Sequence, residues 1–341
     1  MNLGYGLITC QRYPGDSRAP ADLYREALEL ARACEAAGLD SVWTSEHHFW
    51  DDDYMPSLLV LSAAIAAVTE RINIGTGVLL APLYHPLRLA EDAVTVDLIS
   101  NGRLILGLGL GWRAEEFERL GVPMEGVGRR MTETVKVLRA AWGEQPLRFD
   151  GKAFQFEETN VTPKPARRIP IWIGGFVDPA LRRAGRIGDA YLGSSVPFED
   201  LERRMKVVQE GIERSGRDPS EFGWAVHEPV WVTDDPERGM EEIRPHIHYS
   251  RWKYRDMANA YGRPSSGPLP EPPPIDERTG EAILESLIIG TPEEVSKRIK
   301  EFGEVLGPQM HFVARSYYPG VPLDTAQRSI ELLGQVRSSL E

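Results

Sequence analysis

Ser41-Val42-Trp43-Thr44, followed by Leu58 to Val68 and then by Ile72 to Leu79, is the stretch that decides the fold. The first run reads as a short strand, the second as a helix, and the third as a strand ended by Ala81-Pro82. Upstream, Leu3 to Thr9 reads as a buried strand, and Leu23, Ala27, Leu30, Ala31 and Cys34 fall at helical spacing before Gly38 stops them. Downstream, the alternation runs through a helix near Leu87 to Ile99, a strand at Arg103 to Leu110 and a long helix around Arg130 to Trp142. Further strands are expected at Pro170 to Gly174, Asp189 to Gly193, Phe222 to Val232 and Met310 to Arg315. Continuous apolar strands alternating with amphipathic helices imply a parallel sheet covered by helices. About eight such repeats suit a closed (β/α)₈ barrel, an α/β fold, better than an open sheet.

With 341 residues, the chain is read as one barrel domain over 1–341, because such barrels routinely use this much sequence. Two insertions break the rhythm: about 143–168, a small β excursion, and about 235–285. The second carries Pro264, Pro268, Pro270, Pro272, Pro273 and Pro274, so an irregular, lid-like loop is expected there. A composition of 42% hydrophobic and 26% charged residues is that of a soluble globular protein, and no apolar run approaches the roughly 18 residues that span a bilayer. Met1-Asn2-Leu3-Gly4-Tyr5 enters a strand at once without signal-peptide features, which reads as cytoplasmic. Cys10 and Cys34 are too few for a disulfide framework or a four-cysteine zinc site. A net charge of −12 with no basic, aromatic-laced stripe argues against nucleic acid as a partner.

Barrel enzymes place their chemistry on loops that follow the strands, which draws attention to Glu46-His47-His48-Phe49. One histidine of such a pair faces a pocket to move protons while its neighbour packs. The alternatives are two histidines that tie down the loop, or a metal site joined by His246 and His248, although no helical His-Glu-x-x-His spacing is present. The glycines of Gly75-Thr76-Gly77-Val78 suggest a bulge, or a backbone pressing close to a ligand. Gly107-x-Gly109-x-Gly111-Trp112 is a poor dinucleotide fingerprint and reads better as a strand end beneath a flat ring, with Trp112 and Arg113 on the rim. Gly174-Gly175 before a helix, with Gly193-Ser194-Ser195 on the neighbouring strand, makes a phosphate cradle the better reading of two glycine turns. Arg182, Arg183 and Arg186 on that helix could serve a larger anion, although charge runs are more often solvated faces.

Three motifs in order resemble the bacterial luciferase-like monooxygenase family: Val42 to Phe49, Ile74 to Pro82, and His85-Pro86-Leu87-Arg88-Leu89-Ala90-Glu91-Asp92. Asn101-Gly102-Arg103, the Gly107 to Phe117 stretch and Ile171 to Gly175 extend the resemblance over most of residues 1 to about 195, and Gly290 to Val295 resumes it. It implies a TIM barrel that binds reduced FMN or the deazaflavin F420 at its top. It carries a catalytic role onto His47, a supporting catalytic role onto His48, and a cofactor-side role onto Glu46. It places a non-proline cis peptide at Gly77-Val78, under the flavin ring. Gly109, Gly174, Gly175, Gly193, Ser194 and Ser195 complete the expected cofactor site, with no metal. Homodimerisation is likewise implied by the resemblance alone.

The departures carry meaning. Luciferase has a reactive cysteine and an arginine where Gly109 and Leu110 stand here, which argues against light emission; Phe176 and Val177 replace a serine that relatives often use near the phosphate. The expected activity is a two-component flavin monooxygenase, supplied with reduced FMN by a partner reductase and using O₂ on a small apolar organic substrate. The alternative within the family is an F420-dependent oxidoreductase that moves a hydride without oxygen, with Arg182, Arg183 and Arg186 meeting the cofactor's anionic tail. Other classes are a non-catalytic flavin-binding protein and a metal-dependent barrel hydrolase. Tyr249, Trp252 and Tyr261 are the expected substrate walls.

Overall fold

The structure is a computed structural model that describes residues 1–262 and 268–341; Pro264, one of the loop prolines, lies outside the described residues. The barrel strands are β1 (Asn2–Ile8), β2 (Ser41–Thr44), β3 (Asn73–Thr76), β4 (Leu104–Gly109), β5 (Ile171–Gly174), β6 (Ala190–Ser194), β7 (Gly223–Val232) and β8 (His311–Arg315). Each pairs in parallel with its neighbour in sequence, and β8 pairs with β1, as in Leu3 opposite Phe312, so the sheet closes on itself. This is the expected (β/α)₈ barrel. The helices between the strands cover its outside, where the main apolar core lies between sheet and helices. Among the described residues no helix is long and apolar enough to cross a membrane.

Glycine on the strands decides what the barrel interior holds. The Trp43 indole is fully buried inside, tilted against Trp172 at 5.3 Å, and its Nε1 donates to Ser41 Oγ at 2.7 Å. A Cβ on Gly75 would lie 2.3 Å from the indole and one on Gly4 would lie 2.8 Å from its nitrogen, so these glycines make room for tryptophan and not for a ligand. Gly107 is tighter still, since a Cβ there would sit 2.0 Å from the Thr76 carbonyl oxygen of the adjacent strand. Backbone cannot step aside as a side chain can. Gly107→Ala is therefore expected to cost about 1–3 kcal/mol by overpacking, read as a lower urea midpoint with unchanged slope. An unshifted midpoint would show that β3 and β4 can part.

The excursion after the helix Val127–Trp142 is an antiparallel hairpin, Leu147–Asp150 with Gln155–Thr159. The region after β7 departs from expectation. Pro236–Asn259 is one 24-residue helix with Pro245 inside it, and Glu277–Ser286 is a second, so most of the described residues here are helical. Asp235 caps the long helix, its side chain accepting from the Arg238 N–H, and Pro236 stands at its first position, where its missing N–H costs nothing.

Candidate active site

The loop after β2 is built around carboxylates. Glu46, 1% exposed, accepts from the Leu80 N–H at 2.7 Å and from the Tyr84 hydroxyl at 2.6 Å, and so ties the loop after β2 to the extension of β3. Burial pushes its carboxyl up to about 8, against the lowering effect of those two donors. His47 Nδ1 lies 2.8 Å from Glu116 Oε1, and the same oxygen accepts from the His48 backbone N–H at 2.9 Å. Glu116 is fully buried on the short helix Ala114–Arg119 that follows β4. A carboxylate facing Nδ1 fixes the proton on that nitrogen and leaves Nε2 for the cavity that His47 lines. The imidazole stacks on Trp50 at 4.5 Å and meets Tyr54, Trp112 and Tyr254 edge-on, which fixes its plane.

His48 takes a different place. It does not line the cavity; its carbonyl accepts from Arg113 Nη1 at 3.1 Å, its Nε2 is buried without a partner, and burial lowers its proton affinity. The expected place of His48 in the pocket is therefore corrected: its side chain lies off the cavity wall. Arg113 is corrected too. Far from the rim, it is 4% exposed, ion-paired with Glu115, and donates to the Met257 carbonyl at 3.1 Å.

The cavity, about 670 Å³, opens at the C-terminal ends of the strands. Leu7, Val78 and Leu192 lie on its walls, and the Gly77–Val78 peptide is cis, as the resemblance implies, with Gly6–Leu7 a second non-proline cis peptide. Gly109 is on the wall too, and a Cβ there would lie 2.4 Å from Val78 Cγ2. Gly174, Gly175, Ser194 and Ser195 also line it, together with Trp112, Phe176 and Val177. Gly193 does not; a Cβ there would meet Val196 and Tyr191 instead.

The cradle itself is leaner than expected. The Ser195 N–H is already given to the His227 carbonyl at 3.0 Å and the Val196 N–H to Glu228 at 2.8 Å. The helix Asp178–Ile187 starts with a carboxylate of its own, Asp178, held by Arg203 at 2.8 Å. The Ser194 and Ser195 hydroxyls are still available, with Arg315, whose Nη1 lies 3.3 Å from Ser195 Oγ, beside them. His227 adds a buried ring on the cavity wall with Nδ1 unpartnered; burial, and then Arg315, keep it neutral.

Neither Arg182, Arg183 nor Arg186 lines the cavity, and Arg182 is bound to Glu210 at 2.8 Å. The expected substrate walls are corrected as well. Tyr249 is buried against Asp52 at 3.1 Å, Tyr261 is exposed beside Glu118, and Trp252 does not reach the cavity. The helix Pro236–Asn259 instead turns Ile247, Ser250, Arg251, Tyr254 and Arg255 toward it. Their three- and four-residue spacing is a helical face that the sequence carried in full. His246 bonds the Pro319 carbonyl at 2.9 Å and His248 the Pro273 carbonyl at 2.8 Å, so the metal reading that joined them to His47 is overturned. Among the described residues no cluster of histidine, cysteine or carboxylate side chains could hold a metal.

A barrel whose top carries a glutamate, an adjacent histidine with one nitrogen anchored, and a cis peptide beneath a wide cavity can now be compared with known proteins. A family profile described as luciferase-like monooxygenase matches residues 1–309. The chain belongs to the luciferase-like monooxygenase family. This family is enzymatic, and its curated relatives are named as oxidoreductases and monooxygenases. An F420-dependent glucose-6-phosphate dehydrogenase from Kineococcus radiotolerans is 30% identical over 253 residues, which cover 72% of each chain. The oxygenase component of a flavin-dependent trigonelline monooxygenase from Acinetobacter baylyi is 32% identical over 173 residues, 50% of this chain and 48% of that one. Among solved structures, monooxygenase RslO1 from Streptomyces bottropensis superposes with a TM-score of 0.82 over 98% of both chains at 23% identity, a likeness of fold.

The luciferase-like site also makes a prediction about pH. Burial holds the protons of Glu46 to about pH 8 and of Glu228 to about 7 in the folded protein. Unfolded carboxyls ionise near 4, so the folded chain binds more protons across that window, and stability falls as pH rises toward 8. His311, which burial pulls down to about 4, acts in the opposite sense, but only below about 6.5, where an unfolded histidine titrates. The urea midpoint is thus expected to decline between about pH 6.5 and 8.5 and Glu46→Gln to flatten that decline. A midpoint that rises over this range would mean that Glu46 folds as an anion.

Proposed function

We propose that this protein is the oxygenase of a two-component flavin monooxygenase, using reduced FMN supplied by a separate reductase, and O₂, to oxidise an organic substrate. The observation that carries the reading is His47, with Nδ1 held by buried Glu116 and its ring on the wall of a cavity walled by Gly77–Val78 and Gly109. The residues present fit a flavin: Gly77, Gly109, Gly174 and Gly175 add no side chain to the cavity they line, and the Ser194 and Ser195 hydroxyls with Arg315 offer donors for a phosphate. When bound, reduced FMN supplies the electrons that activate O₂.

The chain's own part is positioning and proton handling. Gly109 and the Gly77–Val78 peptide leave room for a flat ring, while Trp112 and Tyr254 screen the reacting region from water. His47 Nε2 passes a proton to or from the substrate oxygen, and Glu116 keeps the imidazole in the required tautomer throughout. FMN is favoured over F420 because Arg182, Arg183 and Arg186, which would have met an extended anionic tail, lie away from the cavity. The name of the Acinetobacter relative, an oxygenase component, supports the reductase partner. A second reading, F420-dependent hydride transfer, is favoured by the Kineococcus relative, which covers more of the chain.

Anaerobic titration of the flavin-free protein with reduced FMN and, separately, with reduced F420 decides between them. Micromolar binding of FMN and not of F420 is the expected result. The reverse selectivity would establish the hydride route, and binding of neither would sink both.

A further inference from the structure

The charge around the cavity runs against the charge of the chain. With 51 acidic against 39 basic side chains, most arginines of this protein have a carboxylate within reach, as Arg88, Arg182 and Arg203 do. Among the described residues, three arginines, Arg251, Arg255 and Arg315, nevertheless line the cavity, and the one carboxyl on its wall is Glu46. That carboxyl is engaged by Leu80 and Tyr84 and keeps its proton at neutral pH. In an acidic protein, a cavity whose charged lining is cationic focuses a field for an anion.

Arg251 and Arg255 also line a second chamber of about 370 Å³, with Arg278, His248 and Asp276 on its other walls. Arg255 and Arg278 make no hydrogen bond or ion pair with any described residue through their guanidinium groups. Arg251 is positioned by donating to the Ala282 carbonyl at 2.6 Å, which places it one helical turn from Arg255, a like-charged pair that disfavours the empty helix. The chamber's only carboxylate among its lining residues, Asp276, already accepts from the Thr279 N–H at 2.8 Å as a helix cap. His248 is 4% exposed; its Nε2 donates to the Pro273 carbonyl and its Nδ1 has no partner, an acceptor for an N–H or O–H of a ligand.

We propose that the substrate is an organic anion, whose apolar body lies in the main cavity and whose acidic group is gripped at the junction of the two chambers by Arg251, Arg255 and Arg278. Guanidinium groups suit this task because their planar donors match a carboxylate or phosphate in pairs. The apolar substrate expected from sequence alone thereby gains a charged end, and Ile247 and Tyr254, on the same helical face, bear on its body. The inference rests on the reading above only for the reaction that follows binding.

The test uses flavin-free full-length protein and matched pairs of probes, benzoate with benzamide and phenylacetate with phenylacetamide, titrated calorimetrically at fixed ionic strength. Each acid is expected to bind at least about tenfold more tightly than its amide, a difference of about 1.4 kcal/mol. Arg255→Met, at an exposed position, and Arg255→Met with Arg278→Met should bring the acids down to the amides while leaving affinity for reduced FMN within about twofold. Equal binding of acids and amides would overturn the proposal. A loss in the variants that falls on FMN or F420 would overturn it as well, because the arginines would then serve the cofactor. Since the probes are titrated without flavin, a protein that binds no flavin can still prefer acids, and the two readings fail separately.

Discussion

Replacing His47 with alanine should lower turnover by roughly 10²–10⁴-fold, the usual contribution of one positioned acid–base group, while the dissociation constant for reduced FMN changes by no more than a few-fold. The asymmetry follows from geometry. His47 touches the cavity with one nitrogen and spends the other on Glu116, and its ring is held by Trp50, Tyr54, Trp112 and Tyr254 and not by a ligand. Its removal takes away a proton carrier and leaves the glycine-lined walls and the serine hydroxyls in place. The measurement is substrate-dependent O₂ uptake with reductase-supplied FMN, alongside anaerobic flavin titration. Glu116→Gln tests the positioning separately, because an amide oxygen can still accept the Nδ1 proton but lacks the carboxylate's charge. It should reduce kcat by about tenfold with flavin affinity unchanged, an intermediate loss. Unchanged turnover in His47→Ala would return the histidine to a purely structural role.

The barrel was legible because parallel strands buried on both faces are written as unbroken apolar runs, and β1 and β4 are of that kind. The helix Pro236–Asn259 was not, for a physical reason. Its buried face includes His248, Tyr249 and Lys253 beside Ile243 and Ile247, so it is covered through hydrogen bonds and an ion pair, and apolar periodicity misses polar residues that burial has paired. The glycines were ambiguous in the same way. Gly75 accommodates Trp43 and Gly107 the Thr76 carbonyl, whereas Gly109 accommodates Val78 at the cavity, and sequence spacing cannot distinguish a packed neighbour from a ligand. Arg113 follows a strand end and so reads as a rim residue, but Glu115 two positions on pairs with it in the interior. The histidine loop stands out in the sequence because it follows a strand end, where barrel topology itself concentrates function, and the structure puts His47, though not His48, on the cavity wall.

Lys253→Met is expected to destabilise the protein by about 3–5 kcal/mol, the cost of breaking a buried ion pair by removing one of its members. Lys253 is 0% exposed, and its ammonium is bonded to Asp51 and lies 3.4 Å from Asp256. Next to Asp51, Asp52 accepts from Gln11 at 2.7 Å and from Tyr249 at 3.1 Å, and burial raises its carboxyl to about 6 even with Lys253 pulling the other way. Taking the ammonium away removes that pull. Asp52 then holds its proton to still higher pH in the folded state than in the unfolded state, and the stability lost to the substitution grows as pH rises and shrinks as Asp52 is protonated. Urea unfolding at pH 8 and at pH 5 should therefore give a larger difference from wild type at pH 8. Lys253→Met with Asp51→Asn should recover part of the loss, since contacting residues are not additive. The consequence reaches the site, because Lys253 lies on the same helix as Tyr254 and Arg255 and pins it to the loop that carries His47. A protein that loses the pin should lose acid-probe binding before it unfolds; a midpoint within about 0.5 kcal/mol of wild type at both pH values would mean that apolar packing alone holds the helix there.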